Sequence, residues 1–394
     1  MMTTPIGCLH IINNIIWDMT NTSHCVRVAF LLALFVVLQF MYQTNRDFTS
    51  GPLSFQSDRK LSRNPQSSTM KDYMETDFNT QNRSGVLRIL WYNIPFYLRP
   101  HVSFFKSKPC MCNCSISVDN RDLAKSDVVV FTQSYMPHKP PPKEKHHVWC
   151  FNTMENLAFA IKPGPLWMDK FEWIMSYRRN SDISRPYGII RKREKPVQRD
   201  YSKVFKQKTK LGVWMSGHCP VPSKRKPYIQ ELKNFMEVDM HGSCGSGTCI
   251  KRTPFVTQCV RNFSRDYKFY FAFENNICHD YTTEKFYNFF STENLNIVPV
   301  VNGPSMASDY LPKGTFINAL DFPSHKDLAK KLKEIGSNET AYTQFLKEKD
   351  KYYALTEPEV FREAMCDICE KIHRGGRQIP KKTNFWEFHY KDGC

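Results

Sequence analysis

Long hydrophobic runs are nearly absent from these 394 residues. Only Val28 to Tyr42 is almost wholly apolar, with Gln39 as its interruption. A full membrane span needs roughly 20 residues, and a shorter one suits a thin early-secretory membrane. No small-x-small cleavage site follows Tyr42, which favours an uncleaved signal anchor over residues 28–42 rather than a cleaved signal peptide. Arg27 precedes the run and Arg46 follows it, so flanking charge does not orient it. Acidic residues are also few: 38 against 55 Lys and Arg, a net charge of +17. No nucleic-acid-binding module accompanies that charge, and the bases are scattered, with short clusters at Arg191-Lys-Arg193 and Ser223-Lys-Arg-Lys226. A membrane surface or an anionic small substrate therefore explains it better than nucleic acid. No internal repeat is evident.

Cysteine, by contrast, is plentiful, at 14 residues. Cys110-Met-Cys-Asn-Cys114 and Cys366-Asp-Ile-Cys369 have metal-like or redox-like spacing, but no second Cys-x-x-Cys and no paired histidines complete a zinc site. Cys8 and Cys25 precede the apolar run and the other cysteines, even in number, follow it. Disulfides in an oxidising lumen are the expectation, with the connectivity open. Four acceptor sequons, at Asn82, Asn113, Asn262 and Asn338, also follow the run. Together these favour a type II membrane protein with a lumenal body.

The order along the chain is then a tail (1–27), the anchor (28–42), a polar flexible stem (43–84), a first α/β domain (85–205), a second (206–372) and a C-terminal tail (373–394). Strands are expected at Val86–Tyr92, Asp127–Phe131 and His147–Phe151, with a basic, Pro-rich loop from Pro137 to His146. Arg191 to Lys210 reads as the linker. The second domain starts at Leu211–Ser216, continues with a helix from about Lys226 that buries Tyr228, Leu232, Phe235 and Met236, and reaches a strand at Val238–Met240. Helices near Ser324–Ile335, Thr340–Lys349 and Pro358–Ile372 close it.

One stretch organises the second domain: Phe269-Tyr-Phe-Ala-Phe-Glu-Asn-Asn-Ile-Cys-His-Asp-Tyr-Thr-Thr-Glu-Lys-Phe-Tyr-Asn288. An aromatic strand from Tyr267 to Phe273 breaks into a polar elbow at Glu274–Asp280. A helix follows from about Thr283, with Thr282 as N-cap and Phe286, Phe289 and Phe290 on its buried face. Ile297–Val301 is the next strand. Such a βαβ unit binds anions where strand end meets helix start, and Lys285 stands in that first turn.

These residues resemble a known family. Phe-Tyr-x-Ala-Phe-Glu-Asn, Asp-Tyr-x-Thr-Glu-Lys and Val-Pro-Val-Val-x-Gly-Pro, in this order, look like the signature of the α1,3-fucosyltransferases. Phe171-Glu-Trp-Ile-Met-Ser-Tyr-Arg-Arg-Asn-Ser-Asp182, Lys224–Leu232, Val238–Gly245, Leu311–Phe322 and Cys366–Cys369 agree, so the likeness runs from Val86 to Cys369. It implies an α/β GT-B fold of two facing Rossmann-like domains, with GDP-fucose on the second and a glycan acceptor on the first. It also implies residue roles: Lys285 and Arg225 on the donor phosphates, Glu284 on the ribose hydroxyls, Tyr281, Asn275 and Arg179 as further donor contacts, and Glu155 as catalytic base. Glu274 is either structural or a fucose contact. The expected reaction is an inverting transfer to the 3-hydroxyl of GlcNAc in glycoprotein N-glycans, core or Lewis-type antenna, in the Golgi lumen. No Asp-x-Asp is present, so no metal is expected to be obligatory, although Mn²⁺ or Mg²⁺ stimulation occurs in the family. Two departures stand out. Asn156 and Leu157 replace the Ser-Pro that follows the family's Met-Glu, and Asn180 stands where Asp is usual. They motivate a rival reading, a catalytically silent glycan-binding relative; a basic membrane-anchored scaffold is a third.

Overall fold

Two parallel sheets form chiefly where β-branched and aromatic residues run together, with Gly212 and Pro299 as the turn formers their strands accommodate. In this computed structural model the described residues are 85–249, 257–291, 295–303, 310–375, 386–387 and 394. The anchor, stem and N-terminal tail, the sequon at Asn82 and most of the C-terminal tail lie outside them. Among the described residues, no helix is long and apolar enough to cross a membrane.

The first sheet holds β1 (Leu87–Tyr92), β2 (Cys114–Ser117), β3 (Val128–Thr132), β4 (Val148–Thr153), β5 (Trp173–Ser176) and β6 (Ile183–Ser184). Their order is β2-β1-β3-β4-β5-β6, all neighbours parallel. β3 and β4 are buried along their whole length, as strands covered on both faces must be. The apolar runs announced β1, β3 and β4; β2, β5 and β6 are too short to stand out. After β1, with Pro100 in its first turn, comes α1 (Arg99–Ser107), which buries His101, Val102 and Phe105.

The expected linker is structured. Within it β7 (Ile190–Lys192) pairs antiparallel with Tyr352–Ala354. Asp200 caps α2 (Tyr201–Gln207), and the Lys208 ammonium is buried on the carbonyls of Ser264 and Tyr267. Its high charge masked these elements, since the charged tips face outward while Tyr201, Val204 and Phe205 pack on the second core.

The second sheet holds β8 (Lys210–Met215), β9 (Val238–His241), β10 (Tyr267–Phe271), β11 (Val298–Val301) and β12 (Ile317–Asn318), ordered β12-β11-β10-β8-β9 and again parallel. Its helices are α3 (Arg225–Leu232), α4 (Gln258–Asp266), α5 (Glu284–Tyr287), α6 (His325–Ser337) and α7 (Glu339–Lys349). α3 ends at Leu232, so Phe235 lies beyond it and is exposed rather than on a buried helix face.

α8 (Glu357–His373) departs from the domain reading. Residues expected to close the second domain pack on the first sheet. Phe361, Ala364, Met365, Ile368 and Ile372 recur at helical spacing and share a core with Ile89, Trp91, Val128 and Met175. Disulfides Cys110–Cys366 and Cys114–Cys369 fasten the helix there. Three more, Cys219–Cys244, Cys249–Cys259 and Cys278–Cys394, lie in or reach the second domain. Among the described residues, Cys112 and Cys150 remain as thiols.

Candidate functional site

In each sheet the first strand lies between the second and third, so successive connections leave in opposite directions. A crevice opens at the carboxyl ends of the strands where this happens. In the second sheet that point lies between β8 and β10, and Arg225 occupies it. Its Nη1 donates to the Phe273 carbonyl at 2.8 Å, and its Nη2 to Ser216 Oγ at 2.8 Å and the His218 carbonyl at 3.0 Å. The side chain is buried, and Nε has no hydrogen-bond partner among the described residues. Burial lowers its pKa, countered by Glu274 and Glu284 at a distance. A guanidinium stays charged even so, and the hydrogen-bond partners of this one are all neutral. Lys224, in left-handed backbone at φ 49°, is exposed, and Lys226 is half-buried. Of the three adjacent cations, Arg225 is the inward one.

The elbow after β10 is built around Glu274. Its carboxylate accepts the Thr283 amide at 2.8 Å and the Thr283 hydroxyl at 2.9 Å, while its own amide donates to Asn302 Oδ1 at 2.7 Å. It is a buried framework group. Thr283, not Thr282, caps α5, and Thr282 Oγ1 pairs instead with the Tyr310 hydroxyl. α5 is a single turn, so its dipole is weak and charge at the site must come from side chains. Phe286, Phe289 and Phe290 are buried as their spacing required.

Lys285 Nζ donates to Thr283 Oγ1 at 2.8 Å and lies 3.3 Å from Glu274 and 3.1 Å from Glu284. Burial alone would lower its pKa; the two carboxylates outweigh that and hold it above the ordinary lysine value. The anions that tolerate a cation here are therefore protein carboxylates. Glu284 is itself half-exposed; burial pushes its carboxyl up, and Lys285, with its own backbone amide and the Thr283 hydroxyl, outweighs that and holds it below the usual range.

Across the crevice, Glu155 stands two residues beyond β4, half-buried. Burial raises its carboxyl above the usual range, with Lys285 pulling it down and Glu284 pushing it up. The acid of the first sheet thus feels both charges of α5. Asn275 accepts a hydrogen bond from Asn156 at 3.1 Å. Tyr281 is buried edge-on against Tyr177 and Tyr187. Arg179 is exposed, its amide bonded to Asp280 at 3.0 Å and its guanidinium 5.0 Å over the Tyr310 ring. The structure brings Glu155, Tyr281, Glu284 and Lys285 within electrostatic reach of one another, with Arg225 acting on Glu284 and Tyr281; Asn275 bonds Asn156 beside Glu155, and Arg179 bonds Asp280 at the end of the elbow.

Two groups here had no sequence signal. Asn156 is fully buried, yet reads as an ordinary turn residue. Phe96, Tyr97 and Tyr135, beyond β1 and β3, leave aromatic rings exposed. Arg185, Tyr135, Glu357 and Glu155 are close enough to act on the Tyr97 phenol. Among the described residues, one group has metal-ligand spacing, Cys110, Cys112 and Cys369, but Cys110 and Cys369 are in disulfides. Of the sequons, Asn113 and Asn338 are exposed, whereas Asn262 lies within α4, half-buried.

Comparison with known proteins agrees in both halves. Residues 205–386 match the family described as "Glycosyltransferase family 10 (fucosyltransferase) C-term", and residues 84–188 match "Fucosyltransferase, N-terminal". The chain is 28% identical over 317 residues to the glycoprotein 3-alpha-L-fucosyltransferase A of Drosophila melanogaster, a match covering 76% of this chain and 59% of that one. It is 29% identical over 298 residues to the alpha-(1,3)-fucosyltransferase C of the same organism, covering 69% and 67%. The chain thus spans about three fifths of the first relative and two thirds of the second. A solved structure of an alpha1,3-fucosyltransferase with GDP-fucose is 16% identical, with a TM-score of 0.46 over 75% of this chain and 94% of that one.

Proposed function

Because the chain belongs to glycosyltransferase family 10, the fucosyltransferases, we propose that it transfers L-fucose from GDP-fucose in α1,3 linkage to the 3-hydroxyl of GlcNAc in glycoprotein N-glycans. The observation that carries this is the juxtaposition of the two halves: hydrogen bonds of Asn156 with Asn275 and Asn276 hold Glu155 beside the elbow that leads to Glu284 and Lys285, with the inward Arg225 at the switch point.

Glu155 accepts the proton of the acceptor hydroxyl as that oxygen bonds to fucose C1. The bond from C1 to the phosphate oxygen breaks in the same displacement, its electron pair leaves with GDP, and β-linked fucose becomes α-linked. Arg225 and Lys285 stabilise the charge that grows on the departing diphosphate. Glu284 is exposed enough to turn towards ribose hydroxyls, which would leave Lys285 to the phosphates. Glu274 stays bonded to Thr283 and keeps the elbow in shape. Asn275, Tyr281 and Arg179 complete the donor side. The exposed rings of Phe96, Tyr97 and Tyr135 offer apolar faces to an acceptor sugar. The reading assigns the charge on the departing diphosphate to Arg225 and Lys285 with no obligatory metal, and takes Mn²⁺ or Mg²⁺ as stimulants.

The five disulfides suit an oxidising compartment, which supports a Golgi-lumenal body behind a signal anchor. The test is incubation of the lumenal body with GDP-fucose and a panel of chitobiose-core and LacNAc or LacdiNAc acceptors, followed by linkage analysis. An α1,3-fucosylated GlcNAc is expected. Glycan binding without any transfer would instead identify a silent relative.

A further inference from the structure

Asn156 directly follows Glu155, and its side-chain amide is spent on the opposite domain. Its Nδ2 donates to Asn275 Oδ1 at 3.1 Å, and its Oδ1 accepts from Asn276 Nδ2 at 3.1 Å. The same Oδ1 accepts the Ala158 amide at 3.1 Å, and the Asn156 carbonyl accepts the amides of Phe159 and Ala160 at 3.0 and 2.9 Å. One fully buried residue therefore holds its own turn and grips the donor elbow more than a hundred positions along the chain.

We propose that Asn156 is a positioning residue, a clasp through which the donor elbow sets the place of Glu155. This deepens, and rests on, the reading of Glu155 as the base. The elbow residues Asn275 and Asn276 lie between Glu274, which organises Lys285, and Cys278, which is disulfide-bonded to Cys394. Any shift of the elbow on donor binding is passed by two amide contacts to the residue beside the base. Both ends of the clasp are neutral. It can thus be made and broken without stranding a charge, unlike an ion pair at the same depth. Buried amides left without partners would nonetheless favour the closed arrangement.

The test pairs kinetics with hydrogen exchange. In Asn156→Ala, kcat should fall roughly tenfold to a hundredfold, the scale of a small misplacement of a reacting group, while KM for GDP-fucose stays near wild type. The acid limb of the kcat–pH profile should move to lower pH, because a loosened turn admits water to Glu155. Asn276→Ala leaves the first domain untouched, yet should speed amide exchange across residues 153–160, and its kinetic effect should largely vanish in the Asn156→Ala background. An unchanged exchange rate in Asn276→Ala, or a loss in Asn156→Ala that falls wholly on KM for the donor, would overturn the clasp. Exchange needs no activity. A wild-type chain that transferred no fucose would defeat the functional reading, and the exchange result would still decide the clasp.

Discussion

Glu155 and Lys285 depend on each other at the residue scale, since each changes what the other costs to hold in its charge state. Glu155 is raised by burial, so the base is lost by protonation at a higher pH than an ordinary exposed glutamate would allow. The rate should fall as pH drops through that raised value, and the acid limb of kcat against pH measures it. Glu155→Gln should lower kcat by about 10²–10⁴-fold, with GDP affinity by calorimetry unchanged; undiminished transfer in that variant would remove Glu155 from the mechanism. The sequence put Lys285 and Arg225 at helix starts and Glu155 just past a strand, and the structure has them at those positions. The sequence did not reveal that Lys285 is already paired with two carboxylates, because Glu274 reaches it only through the folded elbow.

At the scale of elements, the short α5 depends on what packs over it. Tyr287 lies under the backbone at Gly188, where an added Cβ would come within 2.2 to 2.7 Å of the ring. The ring is buried in a core with Phe286, Phe289 and Phe290, against which Tyr187 and Ile190 pack. Gly188→Ala should destabilise by about 1–3 kcal/mol in a denaturant titration, and should weaken GDP binding by tilting the turn that carries Lys285. A stability loss with unaltered GDP affinity would mean that α5 is held by its other neighbours. The strands β8, β10 and β11 were legible because buried parallel strands read as apolar runs. The two-residue β6 and β12 are held by the sheet, not by their own pattern.

For the whole molecule, α8 closes the architecture by returning to the first sheet. Cys110–Cys366 and Cys114–Cys369 span separations of 256 and 255 residues. Removing both by Cys366→Ser and Cys369→Ser should cost at least the roughly 2–5 kcal/mol typical of one native disulfide, seen as a lower melting temperature; an unchanged melt would leave the α8 core as the sufficient tether. A second whole-molecule property is alkaline stabilisation. Burial pushes Lys208 down to about 7 and Lys349 down to about 8. The Lys349 amine donates to the carbonyls of Phe289 and Leu295. Between those values and the ordinary 10.5 the unfolded chain binds more protons than the folded one, so stability should rise as pH increases through this window. As pH falls back through 8 and then 7 the contribution is lost. Melting temperature against pH should climb above neutrality, and climb less in Lys349→Met.

By itself, the sequence determined the family signature from Phe269 to Gly303, the alternation of buried strands with helices, and the identity of the principal charged residues. These are local properties, written in residue type and spacing over a few turns or one strand. Only the tertiary structure decided which cysteines pair, that α8 belongs with the first sheet, and that the basic linker is ordered. It also decided that Asn156, an unremarkable turn residue in the sequence, meets Asn275 and Asn276 across the crevice. Each of these joins positions far apart along the chain, and such a partner is selected by the geometry of two finished sheets. No local pattern of hydropathy or charge encodes it.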